Sequence, residues 1–294
     1  MELSVIVPVY NEVDAIKGTI ELLHTTLKSA KIIYELIIVN DGSTDGTKDK
    51  LGQLKELDFV YVGHDTNRGY GAAIKTGVLK SKYQNIVITD ADGTYPIKEI
   101  PKLVSELSDY DMVVGQRAFS NLPNKTKPAK WFISRMANYV AETRIPDINS
   151  GLRAFRKKSF NCFLSIIPNG FSLTTTITLG MFIGGFSIKY LPIEYFVRKG
   201  KSKIKPIRDT YNFLRLIFKI GLFLAPLKIF LPVSYLLFFA GIAWGLFSWL
   251  YLGKFADSST IIILVSSLQV LMLALIAEII NHRTPNFYKK TDNE

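Results

Sequence analysis

Residues 86–96 read IVITDADGTYP, a short apolar run that ends in two aspartates one residue apart. The run is typical of a buried strand, and residues two apart on an extended chain share a face, so Asp90 and Asp92 can point into one crevice. Mg²⁺ and Mn²⁺ take oxygen ligands and are usually held by one or two carboxylates plus substrate phosphates. The stretch therefore indicates a site for a divalent metal and a diphosphate. A solvated turn after a strand is the alternative.

The first half of the chain alternates short apolar runs with helical patterns, which is typical of a mostly parallel sheet covered by helices. The runs predict four strands, over 3–10, 34–41, 58–64 and 85–90. Polar residues follow each predicted strand: Asn11, Glu12, Asp41, Asp65, Asn67, Asp90 and Asp92. Because the carboxyl ends of parallel strands meet at one edge of an open sheet, we expect these side chains to share a crevice.

Two glycine-containing segments lie between these strands. DGSTDGT (41–47) is either an ordinary turn into a helix or a nucleotide contact in which Asp41 accepts hydrogen bonds from the base or ribose. RGYGAAIKTG (68–77) predicts a helix start and lacks the lysine and serine of a phosphate loop. Arg68 and Lys75 are candidates for facing a diphosphate, with a solvated helix face as the alternative.

The pattern after Ile100 is looser. It predicts a strand over 111–117 that ends in Arg117 and a helix over 131–142 that carries Arg135. An apolar helix and a strand follow within 171–198, and a basic loop covers 198–203. DINSGLRAF (147–155) reads as a glycine turn.

The chain changes character near Lys228, where two mostly apolar runs, 229–252 and 259–280, flank the short polar stretch GKFADS. A helix of about 21 residues is roughly 31 Å long, close to the thickness of the hydrocarbon core, so the runs predict two membrane spans. Two buried helices of a soluble core are the alternative. Residues 206–226 have basic residues on one side of an apolar helix, which predicts a helix in the membrane interface or, alternatively, a core-packing helix.

The net charge of +11 is concentrated between Arg198 and the first predicted span. A basic segment beside a span fits anionic lipid headgroups and phosphate-bearing substrates better than nucleic acid, so no nucleic-acid partner is expected. Basic residues flank both spans, no secretory signal opens the chain, and the positive-inside rule therefore predicts an integral membrane protein with its bulk in the cytoplasm. One cysteine, Cys162, and three histidines predict neither a disulfide nor a zinc site.

With these motifs assembled, the chain resembles the family 2 glycosyltransferases of the GT-A fold. Within them it is similar to the polyprenyl-phosphate glycosyltransferases, the group that includes dolichol-phosphate mannose synthase. The matching segments follow the family's order: VIVPVYNE (5–12), IVNDGSTDGT (38–47), NRGYGAAIKTG (67–77), DADGTYP (90–96), GQR (115–117), SGLRAF (150–155) and RKGKSK (198–203). The narrower resemblance rests on Arg117, Arg135, the basic loop and the two predicted spans.

The resemblance implies an α/β GT-A domain with a Rossmann-like, mostly parallel sheet, an interfacial helix and two transmembrane helices. The resemblance divides the chain into a cytoplasmic catalytic domain (1–205), an interfacial helix (206–227), a transmembrane hairpin (228–282) and a cytoplasmic tail (283–294). It also implies an enzyme that uses Mg²⁺ or Mn²⁺ to move a sugar from a UDP- or GDP-sugar to undecaprenyl or dolichyl phosphate. The lipid bilayer would be a further partner.

The resemblance also implies residue roles. It assigns the base and ribose of the nucleotide to Pro8, Tyr10, Glu12 and Asp41. It assigns the metal and diphosphate site to Asp90, Ala91 and Asp92, with closure over the diphosphate by Arg198 and Lys203. It assigns the phosphate of the lipid to Arg117 and Arg135. Many relatives read Asp-Ala-Asp-Leu-Gln, whereas Gly93 and Thr94 follow the aspartates here, so the sugar and the third metal ligand stay open.

The chemistry of such a transfer needs no general base, because an acceptor phosphate is already an anion at neutral pH. We therefore expect a single displacement with inversion at the anomeric carbon. Two rival functions are a processive polysaccharide synthase, which needs a longer membrane domain, and a membrane-anchored scaffold without activity. The sequence leaves open the sugar, the base, the length of the lipid, the preferred metal and the oligomeric state, a homo-oligomer included.

Overall fold

A computed structural model of the chain describes residues 1–54, 56–117, 127–170, 172–196, 206–253 and 257–283. These residues divide into two compact units, one ending at Phe213 and the other beginning at Leu214. The first unit is built on a seven-stranded sheet. The second unit is helical in its described part.

The sheet contains β1 (Glu2–Val9), β2 (Ile33–Asp41), β3 (Val60–His64), β4 (Asn85–Ile88), β5 (Met112–Arg117), β6 (Arg153–Arg156) and β7 (Ile188–Ile193). Its strand order is β3-β2-β1-β4-β6-β5-β7. All neighbouring strands are parallel except β6, which runs antiparallel to both β4 and β5. The predicted mostly parallel sheet is therefore confirmed.

Helices cover both faces of the sheet. They are α1 (Ile16–Ser29), α2 (Thr47–Gln53), α3 (Tyr70–Lys80), α4 (Ile100–Ser105), α5 (Lys127–Ala141), α6 (Lys157–Asn161) and α7 (Leu173–Ile183), with 3₁₀ turns at Ile97–Glu99 and Glu106–Ser108. Alternate residues of β1 face opposite sides: Val5 and Val7 pack with α1 and α4, and Ile6 packs with α3 and α7. A strand buried on both faces must be apolar at nearly every position, which explains the continuous run of β1.

Several predicted boundaries differ from the observed ones. The strand predicted over 189–198 is shorter, because β7 ends at Ile193. The helix predicted over 131–142 begins earlier, at Lys127, with Pro128 in its first turn, where proline is tolerated. The segment read as a glycine turn contains β6. Arg153 opens β6 and is completely buried, so this strand has no apolar run by which sequence reasoning could find it.

Three further helices are described after β7: α8 (Pro206–Leu224), α9 (Pro226–Leu252) and α10 (Ser258–Arg283). By length and composition, α9 and α10 can each cross a membrane, with mean hydropathies of 1.9 and 2.5. Only 11% and 17% of their most apolar stretches are buried, whereas the core helices of a soluble protein are mostly buried. This exposure favours the predicted membrane spans over the soluble-core alternative.

Small and polar residues join α9 to α10. The hydroxyls of Ser234 and Ser267 each donate to the carbonyl oxygen of the other residue, at 3.0 Å in both directions. A Cβ on Gly241 would lie 2.8 Å from Leu264, so the helices approach closely at this glycine. At the other end of the hairpin, Glu278 of α10 accepts a hydrogen bond from the Leu227 amide of α9. These contacts hold α9 and α10 together as one hairpin.

Candidate active site

The carboxyl ends of β2, β1 and β4 lie side by side at one edge of the sheet. At this edge β1 extends past β4, since β4 ends at Ile88 opposite Ile6, while Pro8 still pairs with Val39 of β2. Proline lacks an amide donor and is tolerated in a strand where one side is unpaired. Pro8 is buried near the carboxyl end of β1, and Tyr10 and Glu12 are half-buried in the loop that follows.

Hydrogen bonds join the loop after β1 to the loop after β2. The Asn11 amide donates to the Ser43 hydroxyl at 3.0 Å, and the Thr44 amide donates to the Asn11 side chain at 2.8 Å. The Glu12 amide donates to the Thr47 hydroxyl at 3.1 Å. Asn11 has a φ of +57°, a left-handed conformation that asparagine tolerates better than most residues. The two predicted nucleotide-binding loops therefore form one connected surface.

Asp41 is 3% exposed, and its carboxylate accepts three hydrogen bonds from the protein. The donors are Nδ1 of His64 at 2.7 Å, the Arg68 amide at 2.9 Å and the Gly69 amide at 2.8 Å. Nε2 of His64 lies 3.0 Å from the Thr76 hydroxyl. Asp41 thus connects the end of β3 to the start of α3, and a direct contact with the nucleotide stays a prediction.

The start of α3 is occupied by another part of the chain. A Cβ on Gly71 would lie 2.2 Å from the Pro168 carbonyl oxygen, and the Ala72 amide donates to the Asn169 carbonyl at 3.0 Å. Lys75 is half-buried and donates to the Ile167 carbonyl at 3.1 Å, a contact that the sequence did not predict. Whether it also faces a diphosphate stays a prediction. The glycine of this helix start therefore accommodates a neighbouring backbone.

The Asp-x-Asp segment follows β4 directly. Tyr70 donates its hydroxyl to Oδ1 of Asp90 at 3.0 Å, and a Cβ on Gly151 would lie 2.8 Å from Oδ2 of the same carboxylate. Asp92 Oδ1 accepts from the Thr94 hydroxyl at 2.7 Å and from the Thr94 amide at 3.1 Å. Ala91 is buried between the two aspartates. Both carboxylates are half-buried and therefore reach solvent at the edge of the sheet.

These two carboxylates fit a divalent cation that completes its ligands from a substrate. Among the described residues there is no group of three or more histidine, cysteine, aspartate or glutamate side chains that could hold a metal by itself. Mg²⁺ is commonly bound by one or two carboxylates plus substrate phosphates and water. Asp90 and Asp92 supply hard oxygen donors of this kind, and both are partly exposed. The donor set is thus suited to Mg²⁺ or Mn²⁺ bound together with a diphosphate.

Arg117, at the end of β5, is paired with Asp147. Its Nε and Nη2 donate to Asp147 at 2.8 Å and 2.9 Å, and its amide donates to the same carboxylate at 3.2 Å. Burial works against the charged form, but the bonds to Asp147, together with the electrostatic effects of Asp147, Tyr95 and Tyr195, outweigh it and hold the pKa of Arg117 above its ordinary value. The guanidinium also lies over the ring of Tyr195, 5.4 Å from its centroid.

Tyr95 joins the Asp-x-Asp loop to the arginine. Its ring meets Tyr195 edge to face at 5.3 Å between centroids, and its hydroxyl accepts from the Gly151 amide at 2.6 Å. The Phe196 amide donates to the Thr94 carbonyl at 3.0 Å. The candidate metal site and Arg117 are therefore parts of one packed region.

The remaining predicted residues are less defined. Arg135 lies on α5 with an exposed side chain, and its proximity to Arg117 stays a prediction. Arg198 and Lys203 lie outside the described residues.

Residues 4–164 match the family described as Glycosyl transferase family 2, and residues 225–282 match the family described as GtrB C-terminal hairpin. The first match covers more than half of the chain. This chain belongs to glycosyl transferase family 2. The second match coincides with α9 and α10. The family predicted from the sequence motifs is confirmed.

Curated relatives of this family 2 protein include three lipid-phosphate sugar transferases. The dolichyl-phosphate hexose transferase of Haloferax volcanii is 26% identical and matches 70% of this chain and 87% of that protein. The undecaprenyl-phosphate mannosyltransferase of Micrococcus luteus is 27% identical, with 69% and 88% covered. The undecaprenyl-phosphate 4-deoxy-4-formamido-L-arabinose transferase of Pseudomonas fluorescens is 29% identical, with 70% and 61% covered.

Among solved structures, this family 2 protein resembles glucosyl-3-phosphoglycerate synthase from Mycobacterium tuberculosis in complex with Mn²⁺, UDP and glucosyl-3-phosphoglycerate. The TM-score is 0.58 at 16% identity, and the match covers 75% of this chain and 78% of that one. At this identity the likeness concerns the fold alone. It confirms the predicted GT-A architecture.

Four residues of this site were not found from the sequence: Tyr70, Tyr95, Asp147 and Tyr195. Each acts on a residue distant in the chain, as Asp147 does on Arg117, 30 residues earlier. A weak signal exists for Asp147, which stands just before Asn149 and the SGLRAF motif. The tyrosines carry no local pattern that separates them from core aromatics.

Proposed function

We propose that this protein transfers a sugar from a nucleoside diphosphate sugar to a polyprenyl phosphate, undecaprenyl or dolichyl, with inversion at the anomeric carbon. The observation that carries the proposal is the packing of Arg117 beside the Asp-x-Asp loop through Tyr95 and Tyr195. This arrangement provides a cation for an acceptor phosphate next to carboxylates for a metal and diphosphate. The names of the three relatives and the C-terminal hairpin support the same function.

On the donor side, Asp90 and Asp92 would hold Mg²⁺ or Mn²⁺ against the diphosphate. When bound, the metal neutralises negative charge on the departing nucleoside diphosphate. Tyr70 and Thr94 keep the two carboxylates in place by the hydrogen bonds already described. Pro8, Tyr10, Glu12 and Asp41 belong to the adjoining loops and would contribute to the nucleotide site.

On the acceptor side, Arg117 would bind the phosphate of the lipid. Asp147 occupies Nε and Nη2 of its guanidinium, and no acceptor among the described residues takes the Nη1 hydrogens. Arginine stays charged at neutral pH and presents several donors in one plane, which suits a phosphate. Asp147 would thus orient the guanidinium with its free edge towards the acceptor. Arg135 would be a second cation for the same phosphate.

The reaction would be a single displacement. An oxygen of the acceptor phosphate attacks the anomeric carbon, a new carbon–oxygen bond forms, and the bond to the diphosphate breaks. The nucleoside diphosphate leaves with the electron pair, and no proton moves, so no residue is assigned as general base. The task of the protein is to align two anionic groups and to shield them from each other.

We place the first unit at the cytoplasmic face of the membrane, anchored by α9 and α10. The support is the apolar length and exposure of both helices, the match to the hairpin family, and the basic residues that flank the spans. The helix α8 would lie in the membrane interface.

The function is tested with purified full-length protein in detergent. UDP-glucose, UDP-N-acetylglucosamine and GDP-mannose are each supplied with polyprenyl phosphate and Mg²⁺ or Mn²⁺, and lipid-linked sugar is detected by mass spectrometry. We expect product with one donor and none with the Asp92→Ala variant. Metal-dependent nucleotide binding without product from any nucleotide sugar would contradict the proposal and favour an inactive scaffold.

A further inference from the structure

The two carboxylates of the Asp-x-Asp segment are held in different ways. Asp92 is bonded within its own loop, by the amide and hydroxyl of Thr94. Asp90 is bonded from another element, by the hydroxyl of Tyr70 in the first turn of α3. Gly151 approaches the same carboxylate so closely that a Cβ would lie 2.8 Å from Oδ2. The position of Asp90 therefore depends on tertiary contacts.

The hydroxyl of Tyr70 is a neutral donor to Asp90. A tyrosine hydroxyl donates a hydrogen bond without carrying a charge, and here it lies 3.0 Å from Oδ1 of Asp90. A lysine or arginine in this place would cancel the charge of the carboxylate and compete with a cation. A phenol orients the carboxylate and leaves its charge available. Hydrogen bonds of this kind to metal-binding carboxylates influence metal affinity.

The ring of Tyr70 makes contacts separate from those of its hydroxyl. It packs against the apolar cluster that contains Ile6, Ile74 and Phe163. Phenylalanine retains that ring, so Tyr70→Phe removes one oxygen atom and leaves the packing in place. The hydroxyl can therefore be tested apart from the core.

We propose that Tyr70 is a positioning residue for the metal and diphosphate site, and that its hydroxyl fixes the Asp90 carboxylate for a divalent cation that binds with the nucleoside diphosphate. The inference rests on the proposed function, because it takes Asp90 as a metal ligand. It goes further by assigning a role to a residue of the RGYG segment, whose glycines accommodate the backbone of 168–170.

The test compares full-length wild type, Tyr70→Phe and Tyr34→Phe. Tyr34 is a matched control, since its hydroxyl is bonded to Nδ1 of His24 at 2.5 Å and not to Asp90 or Asp92. Mn²⁺ affinity is measured by electron paramagnetic resonance in the presence of saturating UDP or GDP, without acceptor lipid. Thermal unfolding is recorded for each protein.

We expect Tyr70→Phe to weaken Mn²⁺ binding by roughly 10-fold, the lower part of the range for such supporting hydrogen bonds, with an unchanged melting temperature. We expect Tyr34→Phe to bind Mn²⁺ as the wild type does. Gly151→Ala is a second, independent variant, because its Cβ would displace the same carboxylate, and it should also weaken Mn²⁺ binding.

The inference is wrong if Tyr70→Phe binds Mn²⁺ within twofold of wild type while Asp90→Asn abolishes binding. That result leaves the proposed function intact. If the wild type binds Mn²⁺ neither with UDP nor with GDP, the metal site itself is wrong, and this inference is wrong with it. Glycolipid formation is scored separately, so failure of the transfer function is distinguishable from both.

Discussion

Asp147 accepts two hydrogen bonds from one edge of the Arg117 guanidinium, with Nε–Oδ2 and Nη2–Oδ1 distances of 2.8 Å and 2.9 Å. Two parallel bonds fix the plane of the guanidinium, which a single bond cannot do. The carboxylate is 4% exposed and the guanidinium 28% exposed, so the accessible part of the pair is the arginine. In the proposed reaction this geometry presents a fixed cation to the acceptor phosphate.

Replacing Asp147 by asparagine should impair acceptor binding more than donor binding. The variant loses one anionic acceptor and leaves the guanidinium poorly oriented, so we expect the KM for polyprenyl phosphate to rise by about tenfold. Asp109→Asn, at an exposed aspartate, is the matched control and should behave as wild type. Equal changes in donor and acceptor KM would contradict the assigned role.

The ring of Tyr195 should matter more than its hydroxyl. A cation–π contact at a partly exposed site contributes about 0.5–1 kcal/mol, so we expect Tyr195→Ala to raise the acceptor KM by roughly two- to fivefold. Tyr195→Phe keeps the ring over Arg117 and against Tyr95, and its kinetics should match those of wild type. Steady-state kinetics with varied acceptor checks both variants; a loss in Tyr195→Phe as large as in Tyr195→Ala would exclude the ring contact.

His24 should make the first unit sensitive to mild acid. Burial, and then the charge of Lys28, lower the pKa of His24 from its ordinary value of 6.5. A base whose folded pKa is depressed contributes stability that is present above its unfolded pKa and is lost as the pH falls through the folded pKa. We therefore expect the melting temperature to fall as the pH is lowered below about 6.5.

The control for this effect is His24→Gln, which cannot titrate. Its melting temperature should change less between pH 7 and pH 5 than that of wild type. An equal acid-induced decrease in both proteins would show that His24 is not responsible.

The loop between α9 and α10 should lie on the outer side of the membrane, and the catalytic unit should lie on the cytoplasmic side. In a Cys162→Ser background, a cysteine replacing Ser258 at the start of α10 is expected to react with a membrane-impermeant maleimide added to intact cells. A cysteine replacing Lys17, exposed on α1, should react only after lysis. Labelling of the Lys17 variant in intact cells would contradict a cytoplasmic catalytic unit.

Much of the fold could be predicted because its cause is local. Val5, Ile6 and Val7 are all apolar because β1 is buried on both faces, and such a run is visible in the sequence. The strand β6 was missed because its first residue is Arg153. This arginine is buried, and its guanidinium donates hydrogen bonds to the Ser150 carbonyl and the Thr178 hydroxyl. A charge satisfied in part by a hydroxyl 25 residues away, that of Thr178, has no signature in the local pattern.

The candidate site divides in the same way. A strand end and a two-residue spacing predicted that Asp90 and Asp92 share a crevice; the structure ends β4 at Ile88 and leaves both residues half-buried, and their joint role stays a prediction. Tyr70 and Asp147 could not be predicted, since each acts through a partner 20 or 30 residues away. Lys75 was a candidate for facing a diphosphate or solvent, and the structure adds a contact that the local pattern could not show, with the Ile167 carbonyl 92 residues away.

The central claim is that an acceptor phosphate attacks the anomeric carbon directly, at a site built from the Asp-x-Asp segment and Arg117. The most direct measurement is NMR spectroscopy of the purified lipid product, made with the donor that supports turnover. We predict coupling between the phosphorus and the anomeric proton, and an anomeric configuration opposite to that of the donor. A product that retains the configuration of the donor, or that carries the sugar at another oxygen, would contradict the account.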